Sequence, residues 1–239
     1  MKIAKNTVIK GITNVVLSAL LVTVGTVCLL PTDTAVSKDG EGNLYRCASE
    51  QSDGVSLMFN VYWGTEQVYQ ILDILDNHQA KATFFIGGSW ADDNVECLKK
   101  IANRGHEIGN HGYFHKDHAK LSAAENEKEI KTCNRFISLS ISQTPTLFAP
   151  PSGSYCKEML SACDKLGMTT ILWSRDTIDW RDKDKALIYK RATKDIKGGE
   201  FVLMHPMQAT VDALGAILTF YSSQNLRAVT VSENLRNGG

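Results

Sequence analysis

The stretch Gly105–His115, GHEIGNHGYFH, combines the end of a helix, a short strand and a loop. Gly105 is typical of a helix end, because glycine readily adopts the left-handed conformation found there. The strand is predicted at residues 106–108. A loop that follows a parallel strand lies at the edge of the sheet where active sites are commonly built. The stretch therefore predicts a helix–strand unit with a functional loop behind the strand.

On both sides of this unit, short apolar runs alternate with amphipathic stretches, the pattern of β-α units around a parallel sheet. Strands are predicted near residues 55–60, 82–86, 106–108, 146–149, 169–173, 201–204 and 228–231. Glu66–Asn77 has one apolar face at helical spacing, and Ser122 with Glu125 forms a capping-box pattern. Seven strands are fewer than the eight of a full barrel. The predicted fold is of the α/β class, a distorted or incomplete (β/α) barrel of about seven parallel strands.

The composition is that of one ordinary globular domain. The chain has 239 residues, 43% of them hydrophobic and 22% charged, and its 26 basic side chains balance 26 acidic ones. A net charge of zero leaves no positive excess to follow a phosphate backbone, so nucleic acid is excluded as a partner. The cysteines are irregularly spaced with no C-x-x-C pair, so neither a zinc knuckle nor a disulfide framework is indicated. An exported protein still leaves room for a single bridge.

The first 37 residues form a basic and apolar head. Three lysines precede the apolar run Val15–Leu30, and Ala35–Ser37 supplies small residues, as in a secretory signal peptide. Cleavage before Lys38 and retention as a membrane anchor both remain open. Either one predicts an extracytoplasmic protein, secreted or membrane-anchored at the cell envelope. The predicted boundaries are 1–37 for the head, 38–54 for a linker and 55–239 for the folded domain.

His111 and His115 are four residues apart. On a helical turn this spacing puts both imidazoles on one side, where they can share a divalent metal. Spacing alone favours surface histidines, but the position directly behind a predicted strand favours a site. His118 extends the same face and is interpreted as a solvated histidine rather than a third ligand.

Five motifs match, in order, those of the polysaccharide deacetylases with a NodB-homology domain, the carbohydrate esterase family 4 type. The resemblance runs from about Val55 to Glu233. The matching segments are 55–60 (VSLMFN), 111–115 (HGYFH), 148–153 (FAPPSG), 176–180 (DTIDW) and 203–206 (LMHP). A further segment, 81–87 (KATFFIG), is similar to the family's second strand. The resemblance implies a NodB-type deacetylase barrel.

In that family a divalent metal, bound by one aspartate and two histidines, activates water to attack the acetamide of N-acetylglucosamine. The expected substrate is thus an N-acetylated envelope glycan, peptidoglycan or chitin-like. The resemblance implies that His111 and His115 bind the metal, with zinc the expected ion. It also implies that the Ser152 backbone N–H stabilises the oxyanion and that His205 protonates the leaving amine. These roles meet the three needs of amide hydrolysis: a nucleophile, a charge sink and an acid.

The same resemblance assigns the surroundings of these groups. Asp179 would favour the protonated form of His205, and Trp180 with Leu203 would line the acetyl pocket. Tyr155 is predicted to offer a stacking surface for the glycan.

Three positions depart from the family's pattern. Asn60 stands at the catalytic aspartate, and an amide has no useful basicity near neutral pH. Val61 stands at the metal-binding aspartate, and Ala149 at the arginine that keeps the base ionised. Losing a guanidinium together with its carboxylate partner avoids an uncompensated buried charge. The metal is therefore predicted to be weakly bound or absent, and hydrolysis weak or lost.

Two functions fit this sequence. One is a metal-dependent N-deacetylase of envelope glycans with residual activity. The other is a non-catalytic pseudo-deacetylase that binds glycan or a wall-synthesis partner through Tyr62, Trp63, Trp180 and Tyr155. The run 60–64 (NVYWG) with 148–153 resembles a family branch of sporulating Firmicutes that has altered catalytic positions. That resemblance implies a cell-wall or sporulation setting.

Overall fold

The computed structural model describes residues 43–237, so the predicted head and residues 38–42 of the predicted linker lie outside the described residues. Nine parallel strands form one curled, open sheet. The strands are β1 (Leu44–Tyr45), β2 (Gly54–Val61), β3 (Thr83–Ile86), β4 (Glu107–Asn110), β5 (Leu147–Phe148), β6 (Thr169–Ile171), β7 (Arg175–Asp176), β8 (Phe201–Met204) and β9 (Arg227–Val229). Their order is β1-β6-β5-β4-β3-β2-β8-β7, and β9 also pairs with β2. The predicted incomplete barrel is confirmed.

Helices connect the strands. They are α1 (Thr65–Asn77), α2 (Gly88–Asp93), α3 (Val95–Asn103), α4 (Ala123–Ile141), α5 (Lys157–Lys165), α6 (Asp179–Asp182), α7 (Lys185–Thr193), α8 (Gln208–Ser223) and α9 (Val231–Asn237). The predicted capping box is present: the Ser122 side chain accepts from the Glu125 N–H, and the Glu125 side chain accepts from the Ser122 N–H. Within residues 43–237, no helix is long and apolar enough to span a bilayer.

All seven predicted strands occur, and the structure adds the two-residue strands β1 and β7. The first of them lies in the segment predicted to be a linker. It pairs with β6, Leu44 is fully buried, and the Ala48 N–H donates to the Gly199 carbonyl at 2.7 Å. From residue 43 onward this segment is therefore part of the barrel. β1 and β7 are too short to show an alternating pattern, and unlike the two-residue β5 they do not stand in a longer apolar run, so the sequence gives no signal for them.

The alternation of side chains along β2 positions the site. Successive residues of a strand face opposite sides of a sheet. Phe59 and Val61 pack in the large hydrophobic cluster that includes side chains of α1 and α8. Met58 packs in a separate cluster with Ala149 and other strand residues. Asn60 shares the face of Met58, so it points into the barrel, whereas Val61 points toward the helices.

The described cysteines are free thiols. Burial raises the pKa of the Cys97 thiol to about 11 and those of Cys133 and Cys163 to about 12. These three thiols stay protonated and act as small packing residues.

Candidate functional site

A cavity of about 270 Å³ opens at the carboxyl ends of the strands, where a barrel of this type places its chemistry. Its lining residues are Asn60, Trp63, His111, His115, Ser152, Trp173, Asp176, Trp180, Leu203 and His205. All the predicted catalytic, binding and metal-ligating residues except Asp179, Tyr62 and Tyr155 are among them. The chain thus brings together residues that follow six different strands.

His111 is the first residue after β4 and is buried. Its Nδ1 lies 2.7 Å from the Ala149 carbonyl oxygen. A carbonyl can only accept, so Nδ1 carries the proton and Nε2 keeps its lone pair. Burial, reinforced by the neighbouring His115, lowers the pKa of His111 to about 3. The ring is therefore neutral near pH 7 and can accept a hydrogen bond or bind a cation.

His115 reaches the cavity from a loop and not from a helical turn, so that prediction is wrong. Gly112 has φ 76° and His115 has φ 53°, both in the left-handed region. These two residues fold the loop back, and the ring centroids of His111 and His115 lie 5.1 Å apart with an interplanar angle of 69°. Burial also lowers the pKa of His115. The two rings are close for a reason other than helical periodicity.

A carboxylate on α4 holds this loop. Glu129 Oε2 accepts hydrogen bonds from the backbone N–H groups of Tyr113 at 3.2 Å and Phe114 at 2.9 Å. Its Oε1 pairs with the Lys116 ammonium at 3.1 Å. Sequence reasoning missed Glu129, which lies on another element. The available signal was its position on the buried face of α4 beside Ile130.

Asn110 supports the same loop from the end of β4. Its Oδ1 accepts from the Gly112 N–H at 2.7 Å, and its Nδ2 donates to the Ile130 carbonyl at 2.8 Å. The side chain is fully buried. Together with Glu129 it fixes the backbone that carries both histidines.

His118 is fully buried, which corrects the expectation of a solvated side chain. Its Nδ1 lies 2.6 Å from Asn126 Oδ1, and its ring packs edge-on against Phe148. Within the described chain its Nε2 has no hydrogen-bond partner. His118 lies behind Gly112 and does not line the cavity.

His205 and Asp179 form a second, densely hydrogen-bonded group. Asp179 is fully buried, and its Oδ1 lies 2.8 Å from His205 Nδ1. Its Oδ2 accepts from the His205 backbone N–H and from the Thr210 hydroxyl, each at 2.6 Å. An ionised carboxylate only accepts, so it directs the Nδ1 proton toward itself and leaves Nε2 for the cavity. Thr210 on α8 was missed because no motif surrounds it. The Trp63 ring stacks on His205 at 5.7 Å.

The three substituted positions have neutral surroundings. Asn60 is buried at the cavity, and among residues 43–237 its Oδ1 has no hydrogen-bond partner. Val61 is fully buried in the cluster that faces the helices and does not line the cavity. Ala149 is fully buried in the inner cluster with Met58 and Phe85. Apolar packing therefore fills two of the places where the family's pattern has charges.

Two aromatic predictions need correction. Tyr155 lies outside the cavity: it packs beside the cluster of Leu44 and Phe148, and its hydroxyl lies 3.3 Å from the Arg46 guanidinium. It follows the 3-10 turn Pro151–Gly153, which directs it toward β1. Tyr62, also predicted to offer a binding surface, does not line the cavity, whereas Trp173 lines it and also packs beside two buried clusters.

Ser152 lies inside that 3-10 turn with a left-handed φ of 56°. The turn brings it to the cavity, as the resemblance implied. Gly153 beside it also has a positive φ, and a Cβ at this position would lie 2.7 Å from the Trp173 ring. Close packing of the turn on Trp173 thus fixes the Ser152 backbone at the cavity rim.

The residues present do not fit a metal site of the family's type. Protein zinc sites use three or four protein ligands. In the described part of the chain, no group of three or more His, Cys, Asp or Glu side chains is arranged to hold a metal ion. His111 and His115 supply two nitrogens, Asn60 is an amide and Val61 faces the core. The site therefore offers a metal two imidazoles and, within the described residues, no third side chain arranged to complete its shell.

Residues 48–171 match the family model described as polysaccharide deacetylase, and the chain belongs to this family. It is 39% identical over 179 residues to the uncharacterized protein YlxY of Bacillus subtilis, covering 75% of this chain and 56% of that protein. It is 35% identical over 173 residues to a peptidoglycan-N-acetylglucosamine deacetylase of Bacillus cereus, covering 70% of this chain and 81% of that protein. The chain thus spans little more than half of YlxY and most of the deacetylase.

Solved structures of a pseudoenzyme and of its mutant with restored activity both match the fold. A CE4 family pseudoenzyme from Bacillus anthracis matches with a TM-score of 0.78 at 35% identity, covering 80% of this chain and 68% of that one. A mutant of that pseudoenzyme with restored enzymatic activity matches with a TM-score of 0.78 at 34% identity, covering 80% and 71%. Both active and inactive proteins therefore share this barrel.

Proposed function

We propose that this protein binds N-acetylated cell-envelope glycan, peptidoglycan or a chitin-like chain, in the cavity with hydrolysis weak or lost. The observation that carries the proposal is the combination at one cavity of an amide at Asn60 and a histidine pair that has no third metal ligand among the described residues. Loss of a general base alone costs on the order of 10²–10⁴ in rate. The lack of a third metal ligand removes a further contribution to the rate of hydrolysis.

The cavity has the features of a sugar-binding site. Trp180 and Trp63 line it with exposed fractions of 50% and 41%, and aromatic faces pack against the apolar faces of sugar rings. Its volume of about 270 Å³ is near the lower end of small-ligand sites, which suits one sugar with its acetamido group. Asn60 lines the cavity, and its amide can pair with the acetamido group of a sugar. These groups bind without needing a base.

The relatives support the setting. The Bacillus cereus relative is named for deacetylation of peptidoglycan N-acetylglucosamine, and the Bacillus anthracis relative is a pseudoenzyme. We therefore place this protein outside the cytoplasm, in cell-wall or spore assembly, with residues 1–37 as its signal peptide or membrane anchor. A mutant of that pseudoenzyme has restored enzymatic activity. This supports the proposal that a member of the family can lose activity and still keep a cleft of active shape.

Weak metal-dependent deacetylation is a second candidate. It is favoured by the complete Asp179–His205–Thr210 group, which could still supply a proton to a leaving amine. In that case His111 and His115 would hold the metal, with water or Asn60 completing its shell. The acetate assay below separates the two candidates.

The test is calorimetric binding of chitooligosaccharides to the purified full chain, with acetate release measured in parallel. We expect binding of the N-acetylated oligomer, weaker binding of its deacetylated form, and no acetate with or without zinc. Trp180→Ala should weaken binding, whereas Leu139→Ala, an exposed apolar residue that does not line the cavity, should leave it unchanged. Equal affinity for both oligomers would contradict glycan recognition through the acetamido group. Zinc-dependent acetate release would favour the second candidate.

A further inference from the structure

Asp176 places a carboxylate at the cavity. On β7 it pairs with Leu203 of β8, and both residues line the cavity. Arg175, the residue before it, pairs with Val202, which packs in the cluster that faces the helices. Successive residues of a strand face opposite sides of the sheet, so Asp176 is directed inward and Arg175 outward. The Arg175 guanidinium accordingly donates to the Lys194 carbonyl behind α7 at 2.6 Å.

A hydrogen bond fixes one oxygen of this carboxylate. Asp176 Oδ1 accepts from the Ile178 N–H at 2.8 Å, which closes a local turn. Within the described residues, Asp176 Oδ2 has no hydrogen-bond partner. A carboxylate oxygen accepts hydrogen bonds from hydroxyl groups, which every sugar ring offers. The side chain is thus held in place with one oxygen available to a ligand.

Asp176 sets the charge of the cavity lining. Among the described residues, the side chains that line the cavity include no lysine and no arginine. The rings of His111 and His115 are neutral near pH 7, because burial lowers both pKa values. His205 is paired with the Asp179 carboxylate, so this pair carries no net positive charge even when the imidazole is protonated. A ligand in the cavity therefore meets one uncompensated negative charge.

Cations near Asp176 lie outside the cavity. They belong to an outer groove, which Asp176 also borders, lined by Arg175, Leu187, Lys190, Arg191, Lys194 and Asp195. Arg191 and its neighbour Arg181 both donate to Asp182. None of these cations is a lining residue of the cavity in the described chain. The groove and the cavity therefore present different charges to a ligand.

We propose that Asp176 is a specificity-determining residue of the cavity: its free oxygen accepts a hydrogen bond from a sugar hydroxyl, and its charge disfavours sugars that carry a carboxylate. The cavity then prefers a neutral sugar such as N-acetylglucosamine to N-acetylmuramic acid, whose lactyl ether ends in a carboxylate. The inference rests on the proposed function, because it names which kind of N-acetylated sugar the cavity binds. A residue that only closed the turn at Ile178 would not distinguish ligands by charge.

The test compares three sugars by NMR titration of the purified full chain: N-acetylglucosamine, N-acetylmuramic acid and the amide of N-acetylmuramic acid. The last two have nearly the same size and differ in charge, so the ratio of their affinities isolates the electrostatic effect. We expect the parent to bind the acid about 5-fold more weakly than the amide at low salt, the loss that two like charges a few ångströms apart produce in water. The difference should shrink at high salt, because salt screens exposed charges.

Asp176→Asn keeps an acceptor for the Ile178 N–H and removes the charge. We expect this variant to bind the acid and the amide equally at every salt concentration. The matched control is Asp195→Asn, which removes the same charge from the outer groove and not from the cavity, and it should keep the ratio of the parent. If Asp176→Asn does not fold, Asp176→Ser replaces it, because a serine hydroxyl can close the same turn.

Four results would overturn the proposal. They are equal binding of the acid and the amide by the parent, an unchanged ratio after Asp176→Asn, the same change of ratio after Asp195→Asn, and binding of N-acetylglucosamine alone. In the last case size rather than charge would select the sugar. Failure of the parent to bind any of the three sugars or chitooligosaccharide would count against the proposed function as well, so the two failures can be told apart.

Discussion

The two sides of the cleft hold their polar groups in different ways. On the α6–α8 side, buried Asp179 receives hydrogen bonds from the His205 ring, the backbone and Thr210. On the β2–β4 side, the histidines are neutral and their neighbours are an amide and apolar side chains. A buried charge with several partners cannot be lost alone without leaving those partners unpaired. The side that carries the two neutral imidazoles can bind a polar ligand, and within the described residues it has neither the aspartate base nor the third metal ligand of the family's pattern.

The largest effect on stability is expected at Asp179. Asp179→Ala removes a buried charge and leaves His205, Thr210 and a backbone N–H without their acceptor. We expect the free energy of unfolding to fall by about 3 kcal/mol or more, because each of the three donors left without an acceptor costs about 1–3 kcal/mol. Urea unfolding followed by circular dichroism measures it. The control is Asn60→Ala on the other side of the cleft, and a loss there as large as that of Asp179→Ala would remove the contrast between the two sides.

We expect acid to destabilise the folded protein through two buried histidines beside β4, His106 and His111. Burial lowers the pKa of His106 to about 4 and that of His111 to about 3. Below about pH 6.5 the histidines of the unfolded chain bind protons, whereas these buried histidines of the folded chain stay neutral. Their contribution to the free energy of unfolding is therefore complete above pH 6.5 and is lost as the pH falls toward the folded pKa values. Between pH 7 and pH 5 each should cost about 2 kcal/mol. Urea unfolding at both values measures the loss.

His106→Leu provides the control for this pH dependence, because it removes one titrating group outside the cavity. The variant should lose less stability than the parent over the same pH range. An identical loss in parent and variant would show that His106 does not contribute.

A smaller effect is expected at the histidine loop. Glu129→Ala leaves the N–H groups of Tyr113 and Phe114 unpaired, which should cost about 1–3 kcal/mol and weaken glycan binding. Glu129→Gln keeps an acceptor oxygen and should cost less. Unfolding and calorimetry on the pair test this, and equal losses in both variants would mean that charge, rather than loop support, is what Glu129 provides.

The smallest effect is expected from zinc. Two imidazoles give little charge compensation for a divalent ion, so the unmodified chain stripped with a chelator should rebind zinc weakly. At ten times the dissociation constant a ligand adds only about 1.4 kcal/mol of stability. Calorimetry measures the affinity directly. Sub-micromolar binding would point to a substitute ligand and end the contrast between the two sides.

The sequence predicted the elements that have a strong local pattern. The apolar face of α1 and the Ser122–Glu125 capping box are local signals, and both occur as predicted. β1 and β7 have two residues each and carry no periodicity. The helical turn at His111–His115 failed because spacing cannot reveal the left-handed φ values of Gly112 and His115.

Only the site residues that lie in the family's motifs could be predicted from the sequence. The resemblance pointed to the residues that line the cavity, but Glu129 and Thr210 act on them from other helices, through contacts that no local pattern encodes. The orientation of Val61 was available in the sequence. It shares the parity of Leu57 and Phe59, so strand alternation places it on the helix-facing side.

The orientation of Val61 also affects how the family's charged residues can be restored at the site. Val61→Asp puts a carboxylate into a hydrophobic cluster, where an unpaired charge costs several kcal/mol. Asn60→Asp changes a residue that already lines the cavity. Circular dichroism must therefore establish that a restored variant is folded before its activity is compared.

The most direct test is acetate release from peptidoglycan fragments, measured with zinc for the parent and for the double variant Asn60→Asp/Ala149→Arg, which changes only positions on the inner side of the barrel. The parent is expected to release no acetate above a chelator-treated sample. The double variant is expected to gain on the order of 10²-fold or more and to exceed either single variant. Acetate release by the parent at the rate of the double variant would contradict the claim that these two positions silence the cleft.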